Sequence, residues 1–175
     1  MNRIAILGNG GAGKSTLALL IGRATGIPVF HLDQIIWEEN WKAISESEFQ
    51  RKHEQIVAMP SWVIEGLGYN STLWSRMRSA DQIIFIDLPI FQHLFWAAKR
   101  SFKSLWTAPN GWSSGNSLMR KLPYIFRIIW HVHKNTRPYI LKLLSDCLPE
   151  KVVHIKSKRE LIEFRGKLNI LNKAC

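Results

Sequence analysis

Two rhythms of apolar and polar positions alternate along this chain. Short apolar runs rich in β-type residues lie at Arg3–Leu7, Val29–Leu32, Trp62–Glu65, Gln82–Leu88 and Lys151–Ile155, and read as buried strands. Between them the spacing lengthens. Leu17, Leu20, Ile21 and Ala24 recur at helical intervals and predict a helix over Lys14–Ala24, which Gly26 and Pro28 end. Ser45 followed by Glu48 has the form of a capping box for a helix reaching about Met59, and Ser157 with Glu160 offers a second for a final helix. A helix is expected over roughly Phe91–Leu105. After a loop marked by Pro109, Gly111 and Gly115, a long basic helical region runs from about Ser117 to Ser145, with breaks expected near Pro123 or Pro138. Short strands alternating with helices predict an α/β class with a parallel sheet.

Composition narrows this picture. The 175 residues fit one domain, 1–175, with an inserted lid over roughly 100–137. Cys147 and Cys175 stand far apart with no ligand or redox spacing, so neither a disulfide framework nor a zinc site is expected. The start of the chain has no signal-peptide layout, and no window reaches the ~18 uninterrupted apolar residues of a membrane span. A cytoplasmic protein without membrane partners is expected. The eight Trp are expected to fill the core.

The net charge of +11 changes the picture more. From Leu88 to Ser145 there is no Asp or Glu, while Lys99, Arg100, Lys103, Arg120, Lys121, Arg127, Lys134, Arg137 and Lys142 fall in the same stretch. A field of one sign attracts polyanions, so phosphates, nucleotides and nucleic acid are all candidate partners.

The sharpest motif joins the first strand to the first helix. Gly8-Asn9-Gly10-Gly11-Ala12-Gly13-Lys14-Ser15 matches G-x-x-x-x-G-K-[ST], the phosphate-cradling P-loop. Glycines let the backbone wrap phosphates closely, and the helix start adds partial positive charge. Lys14 is expected on the β- and γ-phosphates of ATP, Ser15 on Mg²⁺, and Thr16 on the α-phosphate. Gly8, Gly10 and Gly13 also fit G-x-G-x-x-G, and Asp33 stands 20 residues after Gly13, as a dinucleotide site would have it. Lys14-Ser15-Thr16 fills positions that such a site leaves unspecified, which makes the dinucleotide reading the lesser one.

Ligands of open α/β sheets sit beyond the carboxyl ends of the strands. Asp33, Glu65 and Asp87 fall there. Glu65 is a candidate for holding a magnesium-bound water, with Asp87 as its rival; Asp33 could accept the proton of an attacking hydroxyl or bind the acceptor. Arg100 and Arg137 flank the loop near 107–116 and are candidates to reach the γ-phosphate. Arg76 and Arg78 could bind an acceptor phosphate. The six His show no zinc spacing.

These pieces together resemble the adenylate-kinase-like P-loop kinases, and more closely the bacterial topology-modulation (adenylate-kinase-related) proteins. The resemblance rests on Ile4–Gly8 with the P-loop, Pro28–Asp33 with Trp37 and Trp41, Trp62–Gly66 leading to Tyr69, Ser71, Thr72 and Leu73, Ala80–Pro89, Arg137-Pro138, and Val152–Phe164. It implies a three-layer α/β/α fold, a five-stranded parallel sheet in the order 2-3-1-4-5, and a helical lid between strands 4 and 5. It also prefers Glu65 over Asp87 as the metal-side acid, because the third strand of such kinases ends in an acid followed by Gly. It puts Lys156–Arg159 near the adenine. The activity it implies is transfer of the γ-phosphoryl of ATP, with Mg²⁺, to a small acceptor. An ATP-binding, nucleic-acid-associated protein is the alternative that the basic stretch keeps open.

Overall fold

The computed structural model describes residues 2–36, 42–103 and 121–173. Trp37, Trp41, Arg120, Cys175 and the loop near 107–116 lie outside the described residues. The strands are β1 (Arg3–Gly8), β2 (Val29–His31), β3 (Trp62–Glu65), β4 (Gln82–Ile86) and β5 (Val152–Ile155). The helices are α1 (Lys14–Thr25), α2 (Leu32–Ile36), α3 (Glu46–Val57), α4 (Asn70–Ser79), α5 (Ile90–Lys103), α6 (Leu122–His131), α7 (Arg137–Ser145) and α8 (Lys158–Lys173). All strand pairs are parallel, in the order β2-β3-β1-β4-β5.

The register explains why the strands read as unbroken apolar runs. Ala5 pairs with Ile64 and Ile83, while Ile4 and Ile6 point to the opposite face. The first face carries Leu7, Trp62 and Phe85 against Phe49 of α3, Leu73 and Met77 of α4, and Ile140 and Leu143 of α7. The second carries Ile4, Ile6, Val63 and Ile84 against Leu17, Ala18 and Ile21 of α1 and Leu161 of α8. A parallel sheet covered on both faces leaves no polar side to alternate with.

Three elements differ from the sequence reading. Leu32 belongs to the short helix α2, so β2 ends at His31 and Asp33 sits in the first turn of α2 rather than at a strand end. An acid is favoured there by the unpaired amides of a helix start. α4 was not expected at all. Its buried stripe is Thr72, Leu73, Arg76 and Met77, helical in spacing but interrupted by a cation that hides it from a hydrophobicity count. Finally, Pro138 does not break the basic helical region. It occupies the first turn of α7, and the chain reaches it through a π-helical segment, Val132–Thr136. Proline lacks the amide and crowds the carbonyl four residues back, and a wider turn relieves both.

Candidate active site

The carboxyl ends of the strands bring the P-loop, His31, Asp33 and Glu65 together. The loop leaves β1 at Gly8, whose φ of 147° no other residue adopts easily and whose missing side chain lets Ile86 O approach; an added Cβ would lie 2.5 Å from it. Gly13 closes the loop as the N-cap of α1 at φ 76°, with no side-chain cap. The loop carbonyls find donors. Asn9 O accepts from Lys14 Nζ at 3.0 Å, and Gly10 O lies 3.0 Å from His93 Nδ1, which must carry the proton to bond a carbonyl. Gly13 O accepts from Leu17 N at 3.1 Å and Arg165 Nη2 at 2.8 Å. The amides at the start of α1 have no partner within the helix, which is the arrangement an anion needs. Lys14 has three ammonium donors; the bond to Asn9 O uses one and leaves two for phosphate.

Two cap helices hold the other side of the loop. Asn9 Nδ2 donates to Ile129 O of α6 at 2.8 Å, and Asn9 Oδ1 accepts from Gly10 N at 2.7 Å. His93 is buried on α5 and neutral, since burial pushes its pKa down. These contacts from His93 and Asn9 carry no motif signal, because each depends on helices distant in sequence.

Glu65 is the centre of the acidic cluster. Its Oε1 accepts from Ser15 Oγ at 2.8 Å and from His31 Nδ1 at 2.8 Å. Burial works to raise its pKa, but bonds from His31 and Ser15 and the charges of Lys14 and His31 overcome it, so the carboxyl stays below its ordinary value. His31 is raised in return, chiefly by the bond to Glu65. Asp33 behaves differently. Its residue surface is open to solvent, yet protein crowds the carboxyl enough that desolvation raises its pKa; Lys14 and Arg100 pull it down and Glu65 pushes it up. Two nearby carboxylates thus have opposite tendencies. Arg100 is exposed on α5, and its charge reaches Asp33.

Arg137 takes another position. Its Nε and Nη2 donate to Asp87 Oδ1 and Oδ2 at 2.6 and 3.0 Å, and His154 Nε2 lies 3.1 Å from Oδ2. Asp87 follows β4 directly, and its amide donates to Ile155 O at 2.8 Å. A cavity of about 450 Å³ opens beside this cluster and is lined by Arg137, His154 and Lys156, among others, but by none of Gly8–Thr16.

Arg76 corrects an expectation. It is fully buried, and its Nη2 donates to Gly66 O at 3.1 Å and Leu67 O at 3.0 Å, so it braces the turn after Glu65 and presents nothing to an acceptor. Burial pushes its pKa down to about 9. Arg78 is exposed. Among the described residues no group of three or more His, Cys, Asp and Glu could hold a metal ion. Magnesium beside a nucleotide does not need one, since one or two protein oxygens and the phosphates complete its shell. Ser15 Oγ and Glu65 Oε1, 2.8 Å apart, fit that demand. Among the described residues no helix is long and apolar enough to cross a membrane.

Neither a protein-family model nor a curated protein matches the sequence. Solved structures do match. The chain has the fold of the P-loop kinases. Shikimate kinase from Acinetobacter baumannii, in complex with shikimate, aligns with a TM-score of 0.59 at 13% identity over 99% of this chain and 94% of that one. A gluconokinase from Sinorhizobium meliloti aligns at 0.55 and 14%, over 99% and 92%. Shikimate kinase from Bacteroides thetaiotaomicron aligns at 0.55 and 15%, over 98% of each chain. At such identities the likeness speaks for the fold.

Proposed function

We propose that this protein is an ATP-dependent phosphotransferase acting on a small hydroxyl-bearing acceptor. The observation that carries the reading is the meeting of Ser15 Oγ and Glu65 Oε1 at 2.8 Å, at the end of a P-loop whose Lys14 Nζ turns back to Asn9 O. Amides of Gly8–Thr16 and the ammonium of Lys14 bind the triphosphate. Bound Mg²⁺ would be held through Ser15 and Glu65 and would neutralise charge on the β- and γ-phosphates. The acceptor hydroxyl gives its proton to Asp33 as its oxygen attacks the γ-phosphorus. The bond from that phosphorus to the β–γ bridging oxygen breaks, and ADP carries away the electron pair. The raised pKa of Asp33 suits it to take that proton. Arg100 supplies positive charge on the acceptor side. Arg137 serves the phosphates only by leaving Asp87.

Two observations support an acceptor class. A site with one proton acceptor and one exposed arginine suits a compact hydroxy acid or sugar acid, and the structural neighbours are kinases named for such acceptors. In the same reading the chain is one kinase domain; the expected lid over 100–137 lies partly outside the described residues.

Small hydroxy acids, sugar acids and nucleoside monophosphates are to be screened for acceptor-dependent ADP release, beside a thermal-shift titration with ATP–Mg²⁺. A native-state ligand at 100 times its dissociation constant stabilises by about 2.7 kcal/mol. Lys14→Ala is expected to lose both the ATP shift and turnover while keeping the melting temperature of the free protein. Full turnover in that variant overturns the mechanism.

A further inference from the structure

The P-loop of this protein is gripped from behind by a residue far from the motif. Arg165 lies on α8, which packs on α1 through Leu161, Phe164 and Leu168 against Leu17, Ala18 and Ile21. Its Nη2 donates to Gly13 O at 2.8 Å, a carbonyl that already accepts from Leu17 N at 3.1 Å. The approach is close enough that a Cβ at position 13 would lie 2.5 Å from that nitrogen. Glycine is required at 13 for its φ of 76°, and the end of the Arg165 side chain fills the space beside it. Arg165 Nε is buried with no hydrogen-bond partner, and among the described residues no carboxylate pairs with the guanidinium. An uncompensated cation kept half-buried against a carbonyl costs stability, so its placement calls for a reason beyond packing.

The peptide group supplies one. The Gly13 carbonyl shares its amide plane with the Lys14 N–H, the first unpaired amide of α1. A charged donor on the oxygen of a peptide withdraws electron density from its nitrogen, and hydrogen bonds in such a chain strengthen one another. We infer that Arg165 is a positioning residue for the nucleotide: through Gly13 it fixes and polarises the Lys14 amide that faces the phosphates, adding the field of its own charge. The role rests on the phosphotransferase reading for its ligand. It makes α8 part of the nucleotide site, although the side chain need not touch ATP.

The experiment compares the wild type with Arg165→Met, Arg165→Lys and Leu161→Ala, the last loosening α8 in its core without touching the loop. ATP–Mg²⁺ affinity is read by thermal shift, KM for ATP and kcat by ADP release, and the Lys14 amide by its proton shift in the free protein. Arg165→Met is expected to weaken ATP binding severalfold, through the lost field of the charge and the lost polarisation of the Lys14 amide, since the bond to Gly13 O itself is present without ATP. Its kcat at saturating ATP should stay within about twofold of the wild type, with the Lys14 amide moved upfield. Arg165→Lys is expected to recover part of the affinity, and Leu161→Ala to lower the melting temperature with KM unchanged. An unchanged affinity in Arg165→Met, or an equal rise in KM in Leu161→Ala, overturns the inference. A wild type that shows no shift with ATP–Mg²⁺ removes the phosphotransferase reading and this inference together, so the two failures are told apart.

Discussion

Histidine shows how the same side chain is turned to opposite ends by its surroundings. His31 donates to Glu65, and that bond raises its pKa. His53 sits in the core against Phe49 with neither ring nitrogen bonded, and burial, helped by the charge of Arg76, pushes its pKa down to about 4. The consequences for stability have opposite signs. The unfolded chain binds a proton at position 53 between pH 6.5 and about 4 that the folded chain refuses, so stability falls as pH drops through that window. The folded chain keeps a proton on His31 above pH 6.5 that the unfolded chain has lost, so that contribution is full below 6.5 and disappears as pH rises through the raised value. Melting temperatures measured from pH 4.5 to 8.5 should show His53→Leu flattening the acid side of the profile and His31→Gln flattening the alkaline side. A variant profile parallel to the wild type on its own side would refute the assignment for that residue.

Elements in this fold are joined by close approaches that propensity does not foresee. Gly22 sits inside α1, where alanine would ordinarily be the better helix former by about 1 kcal/mol. Here a Cβ would lie 2.4 Å from Val29 Cγ2 and 3.2 Å from Ile27 O, because β2 begins directly under the helix that precedes it. Overpacking of this kind costs about 1–3 kcal/mol, enough to reverse the propensity gain. Gly22→Ala is expected to destabilise by about 1 kcal/mol, and Val29→Ala in the same chain to relieve the clash. Urea denaturation of the two single variants and the double variant gives the coupling; strict additivity would mean the two elements do not meet there. Arg76 is the other such joint, tying α4 to the turn after β3 and thereby holding the backbone that follows Glu65.

At the scale of the whole molecule, Asp87 gathers three regions that are remote in sequence. It follows β4, takes Arg137 from the start of α7, and meets His154 of β5. Burial works to raise its pKa, but the bonds from Arg137 and His154 outweigh it and leave the carboxyl lowered. Asp87 is 8% exposed and Arg137 38%, so the pair is shielded on one side and wet on the other. Breaking it should cost about 2 kcal/mol, below the full value for a buried pair because water reaches the arginine. Asp87→Ala is expected to lower the unfolding free energy by that amount, read as a lower urea midpoint at an unchanged slope, and an unaltered midpoint would show that the cluster holds nothing together.

Local chemistry decided much of this protein before it folded. The run from Gly8 to Thr16 was legible as a motif, because its glycines and the helix start after it lie side by side in the sequence. The five strands were equally legible, since burial on both faces leaves a continuous apolar run with clear ends, and Trp62–Glu65 matches residue for residue. What was hidden depends on partners far along the chain. Arg76 looked like a surface cation and is a core brace; Asp33 looked like a strand end and opens a helix; Arg137 is committed to Asp87; and Arg165 and His93 reach the P-loop from α8 and α5. A charged or polar side chain has the same sequence signature whether it faces water or a carbonyl. Only the packing of α4, α5, α7 and α8 against the sheet decides which one it meets.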